Sequence, residues 1–370
     1  MPHRVSPTLA DNLFSADYAQ ARERFRQQAI EAGASLESHV QPQARGLHGE
    51  DLSIDVALLG PADASRAALI ISGTHGCEGL LGSAAQTVLL RELAAANRTL
   101  DVRLVLVHAL NPWGMSHVSR GTERHVDLNR NFIDWTQPPP ANLDYEELHE
   151  VIALADFEQA TLATAKARSD AWVAAHGRDR FIDAAIRGQY SRRDGINFGG
   201  DGPEWSNLTL RGILQEHLQP ARKVALIDWH TGIGERGQPF FLCFHPHGSD
   251  ARLRAAQWWG AERIAAGSRL DGAAVPDYRG LVFQGVSDAL PWAEVTGAVI
   301  EFGTLPIERM WRAIQLDLQI RRRSPQAPDS DELREQLLEA FVPRSLSWRR
   351  SVLAHAIAIQ QALLGGLRAW

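Results

Sequence analysis

The chain has 370 residues, a net charge of −6 and an isoelectric point near 6.2, with 45% hydrophobic and 22% charged residues. That is enough apolar sequence for one large core, and it lacks the basic patch with interleaved aromatics that nucleic acid requires. Two cysteines, Cys77 and Cys243, are too few for a disulfide framework, the N-terminus lacks the apolar core of a signal peptide, and no window approaches the apolar length of a membrane span, so a cytoplasmic protein is expected. In chain order, Asp17–Ala32 carries helical spacing, and strand-like runs follow at Leu36–Val40 and Leu52–Leu59. Strand Ala67–Ser72, helix Leu80–Ala95, strand Val102–Ala109 and, later, strand Lys223–Trp229 set a β-α-β rhythm. Between them, Tyr145–His176 and Asp179–Gly188 read as helices and Gly195–Gly202 as a glycine-rich loop, which makes about 134–220 a helical insertion over the rim. Ala298–Thr304 is a strand, and Pro306–Arg322, Asp331–Phe341 and Leu346–Leu367 are closing helices, with Ser324–Ser330 as the linker-like stretch. The expected fold is a single α/β/α sandwich over 1–370 with a mixed, mostly parallel central sheet, whose ligands gather at the strands' carboxyl ends.

Polar residues interrupt these apolar runs at their ends. In Ile70-Ile71-Ser72-Gly73-Thr74-His75-Gly76-Cys77-Glu78 a β-branched run breaks at glycine and gives way to a helix, so His75 and Glu78 can converge on one point. Imidazole and carboxylate are an ordinary donor pair for catalytic zinc. His230, closing Val224–Trp229, supplies a third donor and leaves the fourth position open, with Asp228 and Thr231 near enough to hold its tautomer. Cys77 lies between two donors, but neighbours in a turn point apart, and a thiolate would close the open position. Glu301 ends an apolar strand, where a carboxylate must be paired, metal-bound or functional. Asn129 and Arg130 follow Val126-Asp127-Leu128 with no helical start signal, and an arginine fork can read a carboxylate through two hydrogen bonds. Gly232-Ile233-Gly234-Glu235-Arg236-Gly237 formally matches a dinucleotide fingerprint, yet Phe240–Phe244 reads as another strand, so the helix that would hold pyrophosphate is missing.

The order His75-x-x-Glu78, then Asp127-Leu128-Asn129-Arg130-Asn131-Phe132, then a strand-end His230, then a strand-end Glu301, resembles the zinc metallocarboxypeptidases of the carboxypeptidase A type. It is also similar to the succinylglutamate desuccinylase/aspartoacylase group. Asn111-Pro112-Trp113-Gly114, Gly188-Gln189-Tyr190, Gly199-Gly200 and Trp205-Ser206-Asn207 resemble more closely a bacterial branch of that clan long labelled a domain of unknown function. The resemblance implies one zinc per chain on His75, Glu78 and His230. It makes Glu301 the general base, which takes a proton from the attacking water and passes it to the leaving nitrogen. It gives Asn129 and Arg130 the substrate carboxylate, and Arg120 the oxyanion, with Arg124 in reserve and a solvated charged loop at Ser119–His125 as the competing reading of Arg120. A late-acting tyrosine would be Tyr190 or Tyr278.

The expected function is zinc-dependent hydrolysis of an amide bond beside a free carboxylate, in a small peptide or an acylated amino acid. Two alternatives share the motifs: an aspartoacylase-like deacylase or esterase, and a non-catalytic zinc-binding partner protein. No nucleic-acid or membrane partner is expected. Trp113, Trp135, Trp205 and Trp229 near the motifs hint at an aromatic or apolar side-chain preference.

Overall fold

The computed structural model describes residues 5–96, 99–270, 272–323 and 327–370. Strands β1 (Ser35–Arg45), β2 (Asp51–Leu59), β3 (Arg66–Ser72), β4 (Arg103–His108), β5 (Lys223–Arg236) and β6 (Pro239–Leu242) are followed by a short ribbon, β7 (Arg269–Leu270) and β8 (Ala273–Ala274), and then by β9 (Glu294–Gly303). Among the described residues the main sheet has seven strands in the order β1-β2-β4-β3-β5-β9-β6. It is parallel through β4-β3-β5-β9 and antiparallel at both edges.

Helices α1 (Pro7–Leu13) and α2 (Tyr18–Glu31) precede the sheet, and α3 (Gly79–Ala96) and α4 (Pro112–His117) follow β3 and β4. Between β4 and β5 also lie α5 (Leu143–Ile152), α6 (Gln159–His176), α7 (Arg178–Ile186) and α8 (Trp205–Leu218). Helices α9 (Asp250–Trp259), α10 (Ala261–Ala266) and α11 (Val282–Ala289) precede β9, and α12 (Ile307–Arg321), α13 (Ser330–Phe341) and α14 (Leu346–Ala369) follow it.

Strand alternation divides the core between the two faces of the sheet. Ile70, Leu106, Ile227 and Ile300 pack on one face with Phe25 of α2, Leu81 of α3, Trp259 of α9 and Leu363 of α14. Leu69, Val105, Leu226 and Val299 pack on the other with Leu214 of α8 and Val286 of α11. The architecture is therefore helix, mixed sheet, helix, as the β-α-β rhythm predicts. Helices α5, α6 and α7 form a smaller apolar cluster of their own around Tyr145, Trp172 and Ala184, which reaches Leu318 of α12.

Several expectations need correction. The helical run over Tyr145–His176 is broken: Ala153 leaves the helical region with ψ 63, and six residues separate α5 from α6. The carbonyls of Ala153 and Leu154 are taken by side chains of α12 and its C-terminus, Gln319 and Arg322, so tertiary hydrogen bonds replace the next helical turn. Strand β5 runs well past Trp229 because β9 continues beside it. The glycine-rich stretch is a bulge in that ladder, with Gly232 at φ 129 and Gly234 at φ 105, and a strand follows it rather than a helix. One segment does reach the apolar length of a bilayer span: α14 has 24 residues, but 56% of its apolar window is buried within the protein, where Val352, Ile357 and Leu363 join the core. Part of the linker-like stretch, 324–326, lies outside the described residues.

Candidate active site

Alternation places the polar strand-end residues before any loop geometry enters. His230 and Asp228 of β5 continue the face of Leu226, and Glu301 of β9 continues the face of Val299. In the parallel ladder His230 is paired in register with Glu301. The third contributor follows β3. Gly73 turns the chain at φ 74, where a Cβ would lie 3.1 Å from the Ala109 Cα, and a short 3-10 turn, Gly76–Glu78, leads into α3. His75, Glu78 and His230 converge there, with donor atoms all within 4.8 Å of one another, and all three are buried.

His75 Nδ1 is 3.0 Å from Glu78 Oε1 and His230 Nδ1 is 3.3 Å from Glu78 Oε2. These separations suit donors arranged about a small tetrahedral ion, whose edges are ~3.3 Å for bonds of ~2.0–2.1 Å. Each remaining ring nitrogen meets a carboxylate: His75 Nε2 lies 3.1 Å from Asp127 Oδ1, and His230 Nε2 lies 3.0 Å from Asp228 Oδ2. A carboxylate on the far nitrogen fixes the tautomer that presents Nδ1 to a metal and raises its basicity. Asp228 is held in turn by the Thr74 hydroxyl at 2.9 Å. The donor set and its supports fit zinc.

Glu301 is only 6% exposed, and among the described residues its carboxylate accepts one hydrogen bond, a long one from the Ile233 N–H at 3.4 Å. Burial and the neighbouring Glu78 charge push its carboxyl up to about 7, against the pull of His230, His75 and Arg120. For Glu78 burial acts in the same upward direction, but the His75 and Arg120 charges and the histidine hydrogen bonds prevail and hold it well below the usual carboxylate range. Two carboxylates in one site thus have opposed proton affinities. Glu294, the other acid of β9, sits at the far end of the strand and pairs with Arg254 at 3.0 Å.

Arg120 reaches both Glu78 and His75, its Nη2 lying 3.1 Å from His75 Nε2, and its guanidinium stacks on the Phe341 ring at 5.4 Å. Asn111 places it: this residue caps α4 through Gly114 N–H and donates from Nδ2 to the Arg120 carbonyl at 3.2 Å. Arg124 is instead directed outward, where it pairs with Asp201 at 2.6 Å and Glu204 at 3.3 Å.

Arg130 is fixed by backbone. Its Nε and Nη2 donate to the Ile186 carbonyl at 3.2 and 2.7 Å, its Nη1 donates to the Asn129 carbonyl at 2.7 Å, and its guanidinium stacks on Tyr278 at 4.9 Å. One N–H on each terminal nitrogen is left over. The Asn129 Oδ1 accepts from Val282 N–H at 2.9 Å, at the start of α11. His75, Arg120, Asn129, Arg130, Tyr278 and Glu301 all line one cleft of about 600 Å³, within the usual size for small-molecule sites. The two tyrosines separate clearly. The Tyr190 hydroxyl donates to the Arg130 carbonyl at 2.7 Å, whereas Tyr278 lines the cleft, its phenol pushed up to about 12 chiefly by burial. Cys77 is buried with its thiol pushed well up, also by burial, and is not among the three clustered donors.

Some of the site was missed or misread in the sequence. Asp127 opens the Asp-Leu-Asn-Arg motif, yet its bond to His75 across 52 residues has no local signal. None of Trp113, Trp135, Trp205 and Trp229 lines the cleft; Trp229 is core, stacked on Phe302, and the tryptophan that does line it is Trp311 of α12. The insertion contributes through α6 and α7, which bring Val173, Phe181 and Ile182 to the cleft wall.

Among solved structures, similarity is found to the metallo-carboxypeptidase from Burkholderia cenocepacia, 13% identical over 95% of this chain and 69% of that one, with a TM-score of 0.43. Carboxypeptidase A from Helicoverpa armigera is 13% identical over 92% and 73%, with a TM-score of 0.44. Succinylglutamate desuccinylase from Chromobacterium violaceum is 16% identical over 83% and 76%, with a TM-score of 0.37. These are remote likenesses. No curated protein sequence matches the chain. The sequence matches the family described as "Protein of unknown function (DUF2817)" from residue 14 to residue 355, nearly its whole length, and the chain belongs to that family.

Proposed function

We propose that the protein is a zinc-dependent hydrolase that cleaves an amide bond beside a free carboxylate. The observation that carries this reading is the convergence, on one cleft, of three buried donors for a metal, a separate buried carboxylate and an arginine with two unspent N–H groups. His75, Glu78 and His230 would hold the zinc, which when bound supplies a Lewis acid and brings the pKa of water toward neutrality. Glu301 accepts the proton of the attacking water through an oxygen left almost unpaired, and the burial that raises its proton affinity suits it to hand that proton to the leaving nitrogen. Arg120, its loop placed by the Asn111-capped turn and its guanidinium stacked on Phe341, turns an N–H from Glu78 or His75 to the developing charge on the carbonyl oxygen. Asn129 and Arg130 receive the carboxylate of the substrate. The fork is preset by Ile186 and Asn129 carbonyls, so little side-chain entropy remains to be lost.

The carboxylate requirement is the step to test first. Substrates ending in an amide should be hydrolysed at least about a hundredfold less efficiently than the matching acids, because a bidentate charge-assisted contact is worth on the order of a few kcal/mol. In Arg130→Ala the preference should collapse through loss on the acid. Arg130→Lys should restore little, since a point charge cannot match the fork. Equal kcat/KM for acid and amide with the unmutated enzyme would remove the requirement and leave an endo-acting amidase on the same centre.

A further inference from the structure

The cleft has two ends that differ in chemistry. Arg130, Asn129 and Tyr278 mark one. The other lies beyond Arg120, whose backbone N–H reaches Asp317 of α12 at 3.3 Å and whose guanidinium rests on Phe341. At that end α12 supplies Ile314, with Trp311, Met310 and Ile307 along the same helix, and α7, whose last residue Ile186 holds Arg130 at the other end, lines the cleft with Phe181 and Ile182. Of these apolar residues all but the buried Met310 are only half-buried although each sits in the interior-facing wall of a cleft. Asp170, Arg178, Glu308 and Arg312 line the same cleft, so the apolar surface is bordered by charge, and apolar surface left partly open to water is favourable to cover. Phe181, Trp311 and Ile314 pack on the cluster around Tyr145, Trp172 and Leu318, yet each keeps part of its surface open to the cleft.

The direction of a bound substrate then follows from the proposed function, on which this inference rests. With the carboxylate at Arg130 and the scissile carbonyl between Glu301 and Arg120, the acyl part of the substrate must continue past Arg120 along α12 and α7. We propose that this wall is a binding site for an extended apolar acyl group, aliphatic or aryl, so that the favoured substrates are N-acyl amino acids with a long apolar acyl chain. The insertion, through α7, contributes Phe181 and Ile182 to the site.

The test uses binding as well as turnover. N-acetyl-, N-butanoyl-, N-hexanoyl- and N-octanoyl-leucine are titrated by calorimetry into the zinc-loaded full-length Glu301→Gln protein, and turnover of the same series is followed with the unmutated enzyme. Affinity should rise roughly fourfold per added methylene, the equivalent of about 0.8 kcal/mol for each buried CH2, with an increasingly negative heat-capacity change. In Trp311→Ala and in Ile182→Ser, each made in the Glu301→Gln background, the slope should flatten to below about twofold per methylene. Either variant alone keeps the comparison informative if the other fails to fold. Affinity that does not change from acetyl to octanoyl overturns the proposal. A rising affinity series without turnover by the unmutated enzyme upholds the acyl site and overturns the hydrolase reading instead.

Discussion

A carboxylate buried beside two histidines, with a single long hydrogen bond of its own, is poorly stabilised as an anion and well placed to take up a proton. Glu301 therefore costs the fold something, and the cost is explicable through chemistry rather than stability. Glu301→Gln should retain stoichiometric zinc and lose at least about a hundredfold in kcat, the usual scale for general acid–base work. His230→Ala, on the same ladder rung, should lose the metal itself. Elemental analysis of both purified variants with single-turnover rates separates the roles; a Gln variant without zinc would make Glu301 a ligand. Residues of this kind were legible in the sequence because a polar group at the end of an apolar strand is anomalous on its own. Asp127 and Tyr278 were not, since their roles depend on contacts between loops far apart in the chain, and nothing local distinguishes Tyr278 from Tyr190.

At the scale of elements, the candidate metal site depends on how closely α3 approaches the sheet. Gly82 sits where an added Cβ would lie 2.5 Å from the Ser72 Cβ and 3.2 Å from the Trp229 Cβ, so α3 rests almost directly on β3 and β5. Glu78 immediately precedes that helix. Gly82→Ala should force the helix outward, at a cost of about 1–3 kcal/mol for overpacking, and should weaken zinc binding with it. Gly212 on the exposed side of α8, with nothing within 4 Å of its Cβ position, is the control, and there alanine should be neutral or stabilising by up to about 1 kcal/mol. Denaturant midpoints and zinc titrations of both variants decide it; an unaltered zinc affinity in Gly82→Ala would detach the centre from the helix position. The strands and most helices could be read from periodicity, whereas the break between α5 and α6 could not. It is made by Gln319 and Arg322 capturing carbonyls more than 160 residues away in sequence.

For the molecule as a whole, zinc should act as a ligand of the folded state only, adding about 2.7 kcal/mol at a hundredfold excess over its dissociation constant and raising Tm accordingly, with chelator reversing the shift. Asp228 and Glu78, opposing the effect of burial, hold the His230 proton affinity well above the ordinary imidazole range. Metal binding needs that ring neutral, so the proton must leave, and apparent zinc affinity should fall as pH falls. Calorimetry in two buffers of different ionisation enthalpy measures the release; identical heats in both would contradict it. Glu301 and His230 share one rung of a central parallel ladder, while Arg130 hangs from the carbonyl of Ile186, the last residue of α7. On the proposed function, the parts that react and the parts that choose belong to bodies of unequal cohesion, a broad sheet and a small three-helix appendage. Under gentle heating or dilute denaturant the appendage should loosen first, and the protein should become indiscriminate before it becomes inactive.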